Sequence, residues 1–117
     1  MSGGKTEILV SGAPTTNTYQ YLRTNVLGYG ETSVFVQNTG TGGSGVGVVI
    51  LGYPSYESPL VLGSTYVILT SGDVISSGKV NVYSTTDAYE SLGVGYASAG
   101  TNFSGNVTIV VTRKRRQ

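Results

Sequence analysis

LVLGSTYVILTSGDVISSGKVNVYSTT, residues Leu60 to Thr86, holds two β-strand patterns and the turn chemistry between them. The strands read as Thr65–Thr70 and Lys79–Ser84, joined by a polar connection that carries Gly72 and Gly78. In the second strand Val80 and Val82 face one way while Lys79, Asn81 and Tyr83 face the other. That is the period-two alternation of a half-buried strand. No other stretch combines two strands with their turn signals so clearly. The pair is therefore expected at the centre of one sheet.

Outward from this stretch the same grammar repeats. On the N-terminal side, Pro54 to Pro59 is loop, and Val46–Tyr53 is a nearly continuous apolar strand of the kind covered on both faces. Asn38–Gly45, NTGTGGSG, is a Gly, Thr and Ser loop. Before it, Thr32–Gln37 sets Val34 and Val36 opposite Ser33, Phe35 and Gln37. Thr18–Leu27 sets Tyr19, Tyr21 and Arg23 opposite Gln20, Leu22 and Thr24. Thr6–Val10 ends at the turn residues Ser11 to Pro14. On the C-terminal side, Asp87–Leu92 has room for one helical turn, Gly93–Ala97 is a weak strand and Ala99–Gly105 is loop. Asn106–Thr112 closes the fold with Val107, Ile109 and Val111 on one face.

About eight short strands with turn signals every 8–12 residues describe a single antiparallel β-sandwich domain spanning 1–117. Two sheets packed face to face would bury the Val and Ile rows and leave Thr, Ser and Tyr outside. Jelly-roll and immunoglobulin-like Greek-key orders both fit.

Composition agrees. The 117 residues suffice for one core, and only 11% are charged. The hydrophobic share, 38%, is low because 18 glycines and many Ser and Thr take its place, and Val, Thr and Tyr are strand formers. At the N-terminus only Ile8–Val10 is an apolar run, short of the roughly 7–15 residues of a signal peptide or the about 20 of a membrane helix. A chain made in the cytosol, with no membrane span, is the expectation. Arg113, Lys114, Arg115 and Arg116 hold four of the seven basic residues, leaving three basic against six acidic groups in the body. A mildly acidic body with a basic tail, 113–117, is the one charge asymmetry.

Chemistry is hard to find. Histidine and cysteine are both absent, which removes the usual general base, thiol catalysis and the commonest metal ligands. Ser76-Ser77-Gly78-Lys79 matches S-x-x-K but lies in a turn that leads into a strand, where the serine nucleophile has no helix start. Gly40 to Gly45 matches G-x-G-x-x-G but precedes VGVVILGY, a strand, so no helix N-terminus faces a phosphate. Asp87 and Glu90 are the only acidic pair close in sequence, too few for calcium or for a glycosidase. Asn102-Phe103-Ser104 and Asn106-Val107-Thr108 have the sequon pattern that a Ser- and Thr-rich chain also produces by chance. No catalytic residue, cofactor or metal is expected.

SVFVQNTGTGGSGVGVVI followed by SPLVLGSTYVILTSGDVISSGKVNVYST resembles the small β-sandwich accessory proteins of tailed phages and related virions. The shared pattern is a strand, Asn38-Thr39-Gly40, a second strand, a Pro59 to Gly63 entry, Gly72-Asp73 and a closing Val80-x-Val82. The chain departs from it at Leu62-Gly63, where Pro-Gly is usual. The resemblance covers about half the chain and implies a capsid-decoration, penton or turret role in a virion; it transfers no functional residues. With few charges and open sheet edges, the expected function is a non-enzymatic viral coat or decoration subunit. It would form homo-oligomers and pack on other coat proteins. An extracellular filament or pilus-type subunit assembling by strand pairing, and a carbohydrate-binding module built on tyrosines, are the alternatives.

The residues expected at protein contacts are Lys5 at the end of an arm 1–5, then Tyr19, Tyr21 and Arg23 as a strand-face patch. Arg113, Lys114, Arg115 and Arg116 join them as an electrostatic tail. Nucleic acid would be reached only through that tail.

Overall fold

The computed structural model describes residues 5–26, 29–41, 44–53, 67–86, 89–99 and 105–115. Eight strands form: β1 (Lys5–Pro14), β2 (Gln20–Asn25), β3 (Tyr29–Asn38), β4 (Gly45–Tyr53), β5 (Val67–Ser76), β6 (Val80–Thr85), β7 (Ser91–Ala99) and β8 (Asn106–Arg115). They make two four-stranded sheets: sheet A in the order β1-β8-β3-β6 and sheet B in the order β2-β7-β4-β5. Every pairing is antiparallel.

The topology has a simple origin. β4 pairs with β5, β3 with β6, β2 with β7 and β1 with β8, so the chain is one long hairpin whose nested pairs alternate between sheets. Rolling that hairpin brings β8 beside β3 and β7 beside β4. This is the jelly roll, and it excludes the immunoglobulin-like order.

The strand pair at 60–86 is not the centre of a sheet. β5 is the outer strand of sheet B and β6 the outer strand of sheet A, and they do not pair with each other. The expected glycines do two different jobs. Gly72, at φ 83°, sits inside β5, where the pairing with β4 slips between Val48–Asp73 and Ile50–Thr70; it makes a bulge that only a residue free at positive φ accepts easily. Gly78, at φ 79°, makes the turn with Ser77, closed by the Lys79 amide donating to the Ser76 carbonyl at 3.0 Å. That turn carries the chain from one sheet to the other. Turn signals mark where a chain bends but not which strand it then meets. Thr65 and Tyr66 lie outside the described residues.

The core lies between the sheets. Val34 and Val36 of β3 and Val107, Ile109 and Val111 of β8 pack against Val46, Val48 and Ile50 of β4 and Leu92 and Val94 of β7. The expected faces of β3 and β8 are right. β6 reverses the expected burial: Val80 and Val82 are exposed while Asn81 and Tyr83 turn partly inward. Nor are tyrosines confined to the surface, since Tyr53 and Tyr96 are buried. Gly93–Ala97, read as a weak strand, belongs to β7, an interior strand buried on both faces over residues 91–97. The expected helical turn does not extend to Ser91 and Leu92, which open β7; residues 87 and 88 lie outside the described set.

Candidate functional site

A jelly roll of two four-stranded sheets is open at both sides, and each opening has its own chemistry. At the β1/β2 side the residue that organises the site is Arg113. The inward series Val107, Ile109, Val111 continues by two to Arg113, so its side chain points between the sheets and is 5% exposed. Its Nη2 donates to Glu7 Oε1 at 2.5 Å and to Thr24 Oγ1, its Nε donates to the Asn25 carbonyl at 2.9 Å, and Thr24 Oγ1 donates to the same Glu7 oxygen at 3.1 Å. The guanidinium carbon lies 5.7 Å from the Tyr29 ring centre. Burying a guanidinium is costly unless its charge and donors are met. Here β1 and β2 supply the counter-charge and partners for Nε and Nη2, while Nη1 is buried with no hydrogen-bond partner among the described residues. The hydrogen bond from Arg113 holds the Glu7 carboxyl below its ordinary range, against the opposing effect of burial.

Arg23, on the outer face of sheet B, places its guanidinium carbon 4.1 Å from the Tyr53 ring centre and donates from Nε to Ser91 Oγ at 2.8 Å. With Lys5 and Tyr29 these groups surround a cavity of about 460 Å³. Its two arginines are each engaged by groups of the chain itself, and the arrangement ties sheet A to sheet B.

Tyr19 and Tyr21 do share a face, with ring centres 6.1 Å apart and planes 26° from parallel. They lie on glycines. A β-carbon at Gly47 would come within 2.8 Å of the Tyr19 hydroxyl, and one at Gly95 within 2.5 Å of the Tyr21 ring. Outside sheet B these two tyrosine rings are thus seated on bare backbone, whereas Tyr89 lies against Gly52 on the inner, core-facing side of the sheet, at 2.7 Å.

The expected basic tail needs correction. β8 runs through Arg115, so 113–115 is strand rather than tail. Arg113 is buried, while Lys114 points to solvent 3.9 Å from Glu31. The backbone of Arg115 pairs with Tyr29, and Arg116 lies outside the described residues. Lys5 is not at the end of a free arm: it is the first residue of β1, paired with Arg113. Sequence reading brought Lys5, Arg23 and Arg113 forward separately; the fold places them around one cavity. It missed Glu7 and Thr24, whose signal is the period-two match of their own strands. It also missed Asn38 as more than a turn residue. Buried Asn38 donates from Nδ2 to the Ile75 carbonyl at 2.9 Å and accepts from the Gly40 amide at 2.8 Å, which fixes the start of the Gly-rich loop.

The β5/β6 side is apolar. Between the two outer strands lies a cavity of about 280 Å³ lined by Val34, Ile50, Leu69, Tyr83, Leu92 and polar neighbours that include Asp73. Burial pushes the Tyr83 phenol up, and the Asp73 carboxylate beside it adds to the effect. On the solvent side of these strands Ile68, Val74, Val80 and Val82 are all at least half exposed. At the opposite edge Ile8 of β1 is 64% exposed.

Register connects the two edges. Ile8 pairs with Val110, Val110 with Phe35, and Phe35 with Val82, so one row of apolar side chains crosses the outer face of sheet A from edge to edge. Val110 and Phe35 are half-buried, and the row emerges fully at its ends.

No protein-family model and no curated protein matches this chain. Among solved structures it is similar to part of tripeptidyl peptidase 2, at TM-score 0.57 and 12% identity; the match covers 96% of this chain and 10% of that one. It also overlaps a chain from Bacillus endospore appendages, described as disulfide-linked pili, at TM-score 0.49 and 10% identity, covering 100% of this chain and 92% of that one. A family two carbohydrate esterase from Cellvibrio japonicus gives TM-score 0.45 and 16% identity, over 100% of this chain and 35% of that one. At these identities the first likeness is one of fold alone, and the chain spans only a tenth of that peptidase's length. None of the three is a phage accessory protein.

Proposed function

We propose that this chain is a non-enzymatic structural subunit that self-associates, serving as a coat or coat-decorating protein of a viral particle. The observation that carries the reading is the exposure of Ile8, Val80 and Val82 on β1 and β6, the outer strands of sheet A among the described residues. Outer strands offer unpaired amides and carbonyls to any passing strand, and soluble monomers usually blunt them with charge or proline. β6 (VNVYST) carries neither. A surface of this kind is suited to being covered by a neighbouring subunit.

A filament subunit is the second reading, and the same two edges support it, since subunits joined edge to edge need not close into a shell. The carbohydrate-binding reading draws no support from the tyrosines. Among the described tyrosines on the outer face of sheet B, Tyr19 and Tyr21 rest on the backbone, with Tyr21 half-buried and the two ring planes 26° from parallel.

Light scattering of the purified chain across concentration, at low and high salt, tests the proposal. Self-association that persists at high salt is expected, because the contact is apolar. Electron microscopy of the assembled material then separates closed shells from open filaments. A strict monomer at all concentrations would remove the self-associating subunit.

A further inference from the structure

We infer that copies of this chain join head to tail through sheet A, with β6 of one copy pairing antiparallel to β1 of the next in the register Val82 opposite Ile8. The inference rests on the self-assembling reading above and names the contact.

Three features of the sheet lead to it. The first is direction. Three successive antiparallel pairings separate β1 from β6, so the two outer strands run oppositely. A second copy set beside the first without being turned over therefore presents its β1 antiparallel to β6, the more stable ladder. The second is level. Ile8 and Val82 lie on the same cross-strand row, so a copy added without stagger sets Val82 directly against Ile8 and carries the apolar row on across the junction. Directly opposed apolar side chains on one face are the stabilising unit of a sheet.

The third is length. β1 pairs regularly with β8 from Lys5 to Ile8 and then slips, so Lys5–Ile8 is its straight segment. Opposite it fall Val82–Thr85, which pair regularly with β3. The resulting pairs are Ile8 with Val82 and Thr6 with Ser84 on the outer face, and Glu7 with Tyr83 and Lys5 with Thr85 on the inner. No like charges meet. A two-fold pairing of β6 with its own copy would also be antiparallel, but it would leave β1 and the exposed Ile8 uncovered. Head-to-tail joining covers both edges with one contact.

The chain contains no cysteine, so single-cysteine variants report contacts without background. Ile8→Cys and Val82→Cys sit at exposed positions, and circular dichroism confirms that each still folds. The two are oxidised separately and as an equal mixture, at a concentration where the unmodified chain associates. Docking raises the effective thiol concentration to the millimolar range, so the mixture is expected to cross-link on the order of 100-fold faster than either variant alone. Val80→Cys mixed with Ile8→Cys is expected to lag, because it lies one row away on the diagonal. Rapid disulfide formation by Val82→Cys alone would show a two-fold β6 contact and overturn the head-to-tail arrangement. Association by light scattering without any cross-link would overturn it too while leaving the self-assembling reading intact. Absence of association altogether would defeat both.

Discussion

Arg113 shows how much one residue can decide. Its basic neighbours group it with an electrostatic tail, yet the alternation Val107, Ile109, Val111 points the next inward place at it. Its partner Glu7 yields a pH prediction. The folded carboxyl titrates below its ordinary value of 4.5, so its contribution to stability is fully present above that value and is lost as pH falls through the depressed folded one. Glu7→Gln is expected to cost about 1–2 kcal/mol near neutral pH, discounted because the Glu7 side chain is 46% exposed. Thermal unfolding of both forms from pH 7 down to about 2 checks the sign: the gap should close in acid. A gap unchanged in acid would show that the charge is not what matters. A second prediction concerns the tyrosine rings outside sheet B. Gly95→Ala sets a methyl group into the Tyr21 ring and should cost about 1–3 kcal/mol. In combination with Tyr21→Ala the two losses should fall short of their sum, because the clash disappears with the ring.

Strands, taken as elements, were legible where their pattern was clean. β3, β4 and β8 were readable because Val and Ile alternate or run continuously there. β7, SLGVGYASA, was underrated because glycines lower strand propensity when counted alone. Two glycines two residues apart on one face carry a different meaning: they leave room for something to lie against the backbone, and at Gly95 it is the Tyr21 ring. The burial of β6 was misread for a related reason. Alternation identifies two faces, and hydrophobicity normally names the inner one, but at an outer strand built for contact the apolar face can be the outer. Two substitutions separate these roles. Ile109→Ala in the interior strand β8 removes a fully buried side chain and should cost about 2–5 kcal/mol in denaturant unfolding. Val82→Lys in β6 should change stability by less than about 0.5 kcal/mol and abolish association in light scattering. If Val82→Lys instead unfolds the chain, β6 is part of the core and the contact face lies elsewhere.

For the molecule as a whole, the sequence established an all-β sandwich but left its winding open. Turn residues fix the places of reversal, whereas the jelly roll depends on which distant strands meet, and nothing local at β1 names β8 as its neighbour. Only the shared inward positions of Glu7 and Arg113 hint at it. Because the sheets are joined through one core and through the Arg113 network, equilibrium unfolding should be a single transition, coincident by circular dichroism and tyrosine fluorescence. Separate transitions would mean that the two sheets hold together independently.

Strand β8 lies in the interior of sheet A, flanked by β1 and β3. That placement sets a timetable for a chain that emerges from the ribosome in order. Glu7 and Arg113 are 106 positions apart, so at about 5–20 residues per second the first strand waits roughly 5–20 s for its neighbour. During that interval β1 and β3 have an empty lane between them, and the nascent chain can hold local hairpins but no complete sheet A. The last of these eight strands to be made is the one that closes the layer. A chain released early is left with a gap that a strand from another molecule can fill.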